Sequence, residues 1–207
     1  MAAQSAFWDR LADKYAAQPV ANETAYQTKL ETTRRYLRPD MELFEFGAGT
    51  GSTALTHAPR VKHIRAIDFS ERMMEIAREK ADAAGVENVT FETGSIESVE
   101  LVDRSLDMVL ALSILHLLED HRAAIAKTYR ALKPGGLFVS STACIGETMA
   151  WLGWIAPLGK RLGLLPHLNV MGTGQLREAI TSAGFVIEHD WQPNPKAALF
   201  LIARKPE

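Results

Sequence analysis

The sequence predicts an α/β fold, a doubly wound and mostly parallel sheet of seven strands that includes an antiparallel C-terminal hairpin strand. Three observations support it. Short apolar runs alternate with amphipathic stretches along most of the 207 residues. A turn with three alternating glycines follows the first apolar run. The last two apolar runs are joined by a short connection, 192–195, that contains two prolines. The alternation favours parallel strands covered by helices on both faces, and the short connection favours an antiparallel pair.

Local signals place each element in turn. Ser70 is a suitable N-cap for a helix over 71–84, and Gly85 is a suitable residue to end it. The other predicted helices cover 7–16, 23–36, 52–57 and 120–131. The predicted strands cover 42–46, 63–67, 89–92, 108–112, 137–141, 185–189 and 198–203. At this length we expect a single domain over 1–207.

Composition excludes several classes of partner and site. The net charge of −2 and the pI near 6.3 leave no basic surface typical of a nucleic-acid-binding protein, so no nucleic acid is expected. The single cysteine, Cys144, excludes an intrachain disulfide and a multi-cysteine zinc site, and no metal is expected. The N-terminus lacks the apolar core of a signal peptide, so the cytoplasm is the expected location.

The glycine turn is the strongest local signal for a ligand. It reads Glu45-Phe-Gly47-Ala-Gly49-Thr-Gly51 and follows an apolar strand. Glycine accepts the backbone angles of a tight strand-to-helix turn and lets a ligand lie against the main chain, and the next helix offers free N–H groups. A dinucleotide pattern requires its third glycine where Ser52 stands, which disfavours NAD and FAD.

The run resembles the first motif of the class I methyltransferases that use S-adenosylmethionine. Four further segments resemble later motifs of that family: Ala66-Ile-Asp68, Gly94-Ser95-Ile96, Ser105-Leu-Asp-Met-Val109 and Leu132-Lys-Pro-Gly-Gly-Leu137. The resemblance implies a Rossmann-like fold, S-adenosylmethionine as cofactor and S-adenosylhomocysteine as product. It is closest in character to the small-molecule enzymes of ubiquinone and menaquinone biosynthesis, and it lies in the cofactor half of the chain.

The resemblance also implies a set of cofactor-binding residues. Glu45 is expected to engage the ammonium of the methionine part and Asp68 the ribose diol; alternatively, both are acids at helix N-termini. Tyr15 and Tyr26 belong to N-terminal cover helices at 5–36, where they contact the cofactor or acceptor, or pack on the sheet edge. The full set is Glu45, Gly47, Ala48, Gly49, Gly51, Asp68, Phe69, Met73, Ser95, Ile96, Leu112, Ser113, Tyr15 and Tyr26.

His116 is the candidate catalytic residue, because it follows the fourth strand, where the family often has a histidine. A general base there would remove the proton of a hydroxyl acceptor. The alternative is a histidine that caps or orients its loop. The other histidines outside this region, His57, His63, His167 and His189, are expected in solvent.

An apolar insertion at about 145–172 supplies the rest of the candidate substrate pocket. It contains Trp151, Trp154 and Met171, and charged residues and prolines interrupt it, so it is not a membrane span. A lid over a hydrophobic or aromatic acceptor is one role for it. Packing on a second subunit of a homodimer and contact with a membrane surface are the alternatives.

These observations predict transfer of a methyl group by in-line displacement to a small, hydrophobic or aromatic acceptor. Two other classes stay open. One is an NAD-linked oxidoreductase or epimerase on a similar sheet, and the other is a non-catalytic module that binds the cofactor. Binding of S-adenosylhomocysteine in preference to NAD would separate the first alternative from methyl transfer, and turnover would separate the second.

Overall fold

The computed structural model describes residues 2–146 and 167–207, whose strands form one seven-stranded sheet in the order β3-β2-β1-β4-β5-β7-β6. The strands are β1 Glu42–Phe46, β2 His63–Asp68, β3 Val89–Thr93, β4 Leu106–Leu112, β5 Leu132–Thr142, β6 Val186–Trp191 and β7 Leu199–Arg204. The helices are α1 Ala2–Ala17, α2 Glu23–Arg34, α3 Ser52–His57, α4 Glu71–Ala84, α5 His121–Ala131 and α6 Thr173–Ser182. The predicted fold class is confirmed.

The chain divides into two compact units. The first contains residues up to 100 together with 106–110, and the second contains 101–105 and 111–207. The expectation of a single domain over 1–207, with cover helices at 5–36 and an insertion at about 145–172, stays a prediction. None of the helices in 2–146 and 167–207 is long and apolar enough to cross a membrane.

The first unit contains the parallel strands. β1 pairs with β2 on one side and with β4 on the other, and β3 pairs with β2. Phe44 and Phe46 of β1 are fully buried, as expected for a strand covered on both faces. Ser70 caps α4 by accepting a hydrogen bond from Met73 N, and Gly85 ends it in the left-handed conformation, as predicted.

The second unit contains the antiparallel strands. β7 pairs with β5 on one side and with β6 on the other, which confirms the C-terminal hairpin. Lys205 fixes the end of this hairpin to α5, because its Nζ donates to the carbonyls of Tyr129 and Leu132, each at 2.7 Å. A cation there also complements the partial negative charge at the helix C-terminus.

The largest differences from the prediction are two element starts and one helix. α1 begins at Ala2 rather than at 7. β5 begins at Leu132 rather than at 137, because Gly135 N donates to Lys205 O and Lys205 N donates to Gly136 O. α6 was not predicted, although its buried residues Leu176, Ala179 and Ile180 follow helical spacing.

Candidate functional site

The glycine turn joins β1 to α3 within the first unit. Gly47, Gly49 and Gly51 have positive φ angles of 68°, 55° and 73°. At Gly51 an added Cβ would lie 2.7 Å from the Phe91 ring and 2.9 Å from Ala77 Cβ. Both the backbone angle and the packing therefore require glycine at position 51.

Asp68 lies at the end of β2 and holds the turn in place. Its Oδ2 accepts a hydrogen bond from Gly49 N, and its Oδ1 accepts one from Ser70 N, each at 3.0 Å. Burial raises the pKa of Asp68, while the N–H groups of Ser70, Gly49 and Phe69 oppose that shift. Each carboxylate oxygen has two lone pairs, so the side chain retains capacity to accept hydrogen bonds from a diol.

Gly94 extends this connection to the end of β3. Its N–H donates to the main-chain carbonyl of Asp68 at 2.9 Å. On the other side, Ala48 N donates to Ile67 O at 3.0 Å. The carboxyl ends of β1, β2 and β3 are thereby held together, at the edge where parallel α/β sheets bind ligands.

Glu45, at the start of the glycine turn, has a carboxylate oxygen that receives no hydrogen bond from the described residues. Its side chain is 2% exposed, and its Oε2 is buried without a hydrogen-bond partner in the described part of the chain. Burial and then the charge of Asp68 raise the pKa of Glu45 to about 8. A buried carboxylate without a donor is unfavourable, so this position fits a ligand that brings a cation. The ammonium of S-adenosylmethionine meets that requirement.

α1 is attached to the start of α4 beside this turn. Asp9 Oδ1 accepts hydrogen bonds from Ser70 Oγ at 2.6 Å and from Arg72 N at 3.3 Å. Arg72 also pairs with Asp13, its Nη2 lying 2.7 Å from Asp13 Oδ1. These contacts fix the helix whose C-terminal half carries Tyr15.

The two predicted tyrosines lie at the glycine turn. The Tyr15 ring is 3.8 Å from the position that a Cβ on Gly49 would occupy, and the residue is 52% exposed. Partial burial and the charge of Asp68 raise its pKa. Tyr26 Oη lies 3.5 Å from Thr53 Oγ1 in the first turn of α3.

The other predicted residues of the first unit follow β2 and β3 along the chain and differ in how deeply they are buried. Phe69 is half-buried directly after Asp68, and Met73 is buried in the first turn of α4. Ile96 is buried. The Ser95 hydroxyl lies 3.1 Å from Ser98 Oγ, within a local turn. The expected contact of Ser95 with the cofactor stays a prediction.

The second unit contains the predicted residues that follow β4. Leu112 is half-buried and Ser113 is exposed. Ser113 has a φ of 59°, an uncommon angle for a residue with a side chain, and its N–H donates to Ser141 O at 2.7 Å. His116 Nδ1 is buried without a hydrogen-bond partner in the described residues. Burial lowers the pKa of His116.

Asn169 and Met171 make main-chain contacts with two loops, the loop that contains His116 and the residues that follow β5. Asn169 N donates to His116 O at 2.7 Å, and Asn169 Nδ2 lies 2.8 Å from His121 Nδ1. Met171 is buried and its carbonyl accepts from Gly146 N. Trp151, Trp154 and the segment 149–166 lie outside the described residues.

Two residues of the first unit were not identified from the sequence. Lys80 Nζ donates to Thr50 Oγ1 at 2.8 Å and to Ser52 Oγ at 3.3 Å, and so supports the glycine turn from α4. The sequence signal that could have found Lys80 is its spacing: it lies three residues after Ala77, on the face of α4 that packs against the glycine turn. His57 was expected in solvent, which is wrong: it is 1% exposed. His57 is the last residue of α3, directly before the 3-10 turn that leads to β2.

Comparison with known proteins identifies the domain. Residues 43–136 match the family model described as a methyltransferase domain. The uncharacterized methyltransferase YcgJ of Bacillus subtilis is 35% identical over 102 residues, which are 49% of this chain and 40% of that protein. Malonyl-[acyl-carrier protein] O-methyltransferase of Serratia marcescens is 31% identical over 109 residues, 53% of this chain and 41% of that one.

A third relative and a solved structure agree. Demethylmenaquinone methyltransferase of Listeria welshimeri is 33% identical over 93 residues, 44% of this chain and 38% of that one. The chain spans about two fifths of the length of these curated relatives. The crystal structure of YcgJ superposes with a TM-score of 0.72 at 19% identity, covering 87% of this chain and 99% of that one, which shows a shared fold.

The matched region contains Glu45, the three glycines of the turn and Asp68, and the fold is the one expected for them. The three relatives carry different names, so they do not indicate one subtype of methyltransferase. The resemblance to ubiquinone and menaquinone enzymes stays a prediction. Over residues 43–136 the chain matches a methyltransferase domain, and its relatives and structural neighbours support a class I methyltransferase that depends on S-adenosylmethionine.

Proposed function

We propose that this chain transfers the methyl group of S-adenosylmethionine to a small acceptor by in-line displacement. The supporting observation is the buried Glu45 carboxylate, whose Oε2 lacks a partner beside the glycine turn and Asp68. The ammonium of the methionine part would donate to Oε2 and balance the charge. NAD has no primary ammonium that could donate a hydrogen bond to Oε2, which disfavours the NAD-linked alternative.

The roles of the other residues follow from their positions. When bound, the cofactor supplies a methyl group that its sulfonium makes reactive. Asp68 accepts hydrogen bonds from the ribose hydroxyls, and the glycines let the cofactor lie against the main chain. Tyr15 and Tyr26 cover the cofactor and exclude water. The main contribution of the protein is alignment of the acceptor with the methyl group.

His116 is proposed as the general base when the acceptor is a hydroxyl. Its lowered pKa leaves the imidazole neutral at pH 7, and its buried Nδ1 has no partner among residues 2–146 and 167–207. A neutral ring nitrogen can accept the proton that a hydroxyl loses. The alternative, a role in orienting its loop, is supported by the bond from Asn169 N to His116 O.

The acceptor class is proposed from the relatives and from the apolar insertion. One relative is named for a malonyl-[acyl-carrier protein] and another for demethylmenaquinone. The apolar residues of 149–166 favour a hydrophobic or aromatic molecule. A homodimer contact and a membrane-surface contact are the alternative roles for that segment.

Calorimetric titration with S-adenosylhomocysteine and with NAD tests the cofactor assignment. We expect S-adenosylhomocysteine to bind and NAD not to compete. Asp68→Ala should weaken binding by at least about tenfold, because charge-assisted hydrogen bonds to the ribose are lost. Asp82→Ala, an exposed acid on α4, is the matched control and should bind as the wild type does.

Binding of NAD without S-adenosylhomocysteine would contradict the proposed function. Unchanged affinity in Asp68→Ala would remove Asp68 from the ribose role alone. Tight cofactor binding without turnover over a broad set of acceptors would identify a non-catalytic module.

A further inference from the structure

Three basic residues at the C-terminal ends of α2 and α3 interact electrostatically outside the proposed cofactor site, because the charges of Arg34 and Arg60 both act on His57. Arg34 is the last residue of α2, His57 is the last residue of α3, and Arg60 ends the 3-10 turn Ala58–Arg60 that follows. His57 is buried, Arg34 is half-buried and Arg60 is exposed. The cluster therefore extends from the interior of the first unit to its surface.

Two nitrogen atoms of this cluster lack a hydrogen-bond partner. His57 Nδ1 and Arg34 Nε are both buried, and neither has a partner in the described residues. Buried polar groups are nearly always satisfied, and a buried donor without an acceptor destabilises the fold. None of the ion pairs among residues 2–146 and 167–207 involves Arg34 or Arg60. The cluster is thus short of acceptors and of negative charge.

The charges around His57 are positive. Burial, and then the charges of Arg34 and Arg60, lower its pKa to about 4, so the ring is neutral at pH 7. A neutral imidazole with its hydrogen on Nδ1 is a second donor beside Arg34 Nε. The C-terminal ends of α2 and α3 carry partial negative charge. That charge favours nearby arginines, but the helix carbonyls accept from neither of these two atoms.

We propose that Arg34, His57 and Arg60 form a binding site for a small oxyanion, a phosphate or a carboxylate group. One oxygen of the anion accepts from Arg34 Nε and His57 Nδ1, and Arg60 contributes its charge at the surface. The site is separate from the proposed cofactor site, because α3 begins directly after the glycine turn and His57 is its sixth and last residue, so that the helix between them is about 9 Å long.

NMR of the histidine rings tests this site on the full chain. Inorganic phosphate, sodium acetate and sodium chloride are titrated separately at constant ionic strength, with the His57 signal assigned by its loss in His57→Gln. We expect a saturable shift of the His57 ring with phosphate or acetate, and comparison of the two shows which anion is preferred. Arg34→Met should weaken the response by about tenfold or more, the effect of losing one charge-assisted hydrogen bond.

Arg35→Met is the matched control, because Arg35 is exposed, adjacent in sequence and carries the same charge. It should keep the wild-type response. Arg60→Met lies at the surface and provides a second variant if Arg34→Met does not fold. Equal shifts with chloride and phosphate, or equal affinities in Arg34→Met and Arg35→Met, would overturn the proposal.

Discussion

At the residue scale, two neighbouring carboxylates at the strand ends are held in opposite ways. Asp68 accepts hydrogen bonds from Gly49 N and Ser70 N, so the protein itself stabilises it. Glu45 Oε2 has no such donor within the described chain. A residue that is unfavourable for folding and lies beside the glycine turn is the pattern expected of a functional position.

Replacement of Glu45 by glutamine should therefore stabilise the ligand-free protein in a pH-dependent way. The folded pKa of about 8 exceeds the ordinary value of 4.5. Below pH 4.5 both states are protonated and the wild type bears no penalty. As the pH rises to 8, wild-type stability falls, by up to roughly 5 kcal/mol. Glu45→Gln should match the wild type at pH 4 and exceed it at pH 9.

Urea unfolding between pH 4 and pH 9 measures this difference. Glu87→Gln, which changes an exposed glutamate, is the control and should follow the wild type throughout. A stability difference between Glu45→Gln and the wild type that does not vary with pH would contradict the buried, protonated state of Glu45.

The sequence revealed the identity of these residues but not their surroundings. Glu45, the glycines and Asp68 stand in short local runs, so their types and spacing sufficed. That Glu45 lacks a donor depends on every neighbour that folding brings near it. The burial of His57 was missed for the same reason, because a histidine after a short helix has no periodic pattern to place it.

At the element scale, the glycine turn is supported from two helices. Lys80 of α4 donates to Thr50 and Ser52, while Asp9 of α1 binds Ser70 and Arg72 at the start of α4. The turn itself has three residues with positive φ, so its shape depends on these contacts as well as on glycine.

Three glycine-to-alanine variants separate backbone strain from packing. Gly51→Ala combines a positive φ with overlap against Phe91 and Ala77, and should lose about 2–4 kcal/mol. Gly85→Ala has a positive φ with open space, so it should lose only about 1–2 kcal/mol. Gly174→Ala, in a helix with open space, should be neutral or slightly stabilising.

Thermal or urea unfolding gives the order of the three variants. If Gly51→Ala were no less stable than Gly85→Ala, the result would contradict close packing of Phe91 and Ala77 against the turn.

Most elements were predictable because each carries its own signals. Ser70 and Gly85 marked α4 correctly. The start of β5 was missed because it depends on pairing with Lys205, which is distant in sequence. α6 is short, and its first residues, Thr173 and Gly174, are weak helix formers, so the helical spacing of its apolar residues is a weak signal.

At the scale of the whole molecule, the fold of the half that carries the class I motifs was predictable, whereas the roles of its residues and the acceptor half stay predictions. Class I motifs are contiguous and lie mostly within the first unit. The loop around His116 is fixed by Asn169, far along the chain. Trp151 and Trp154 lie outside the described residues. The fold is shown, and similarity over residues 43–136 supports the family and its cofactor, whereas the acceptor is a proposal.

The most direct measurement of the central claim is the number of protons exchanged when S-adenosylhomocysteine binds. Calorimetry at pH 7 in two buffers of different ionisation enthalpy gives that number. If Glu45 receives the ammonium, it must ionise from a pKa of about 8, and the wild type should release about one proton. Glu45→Gln should release none. Binding by the wild type without proton release would contradict the account.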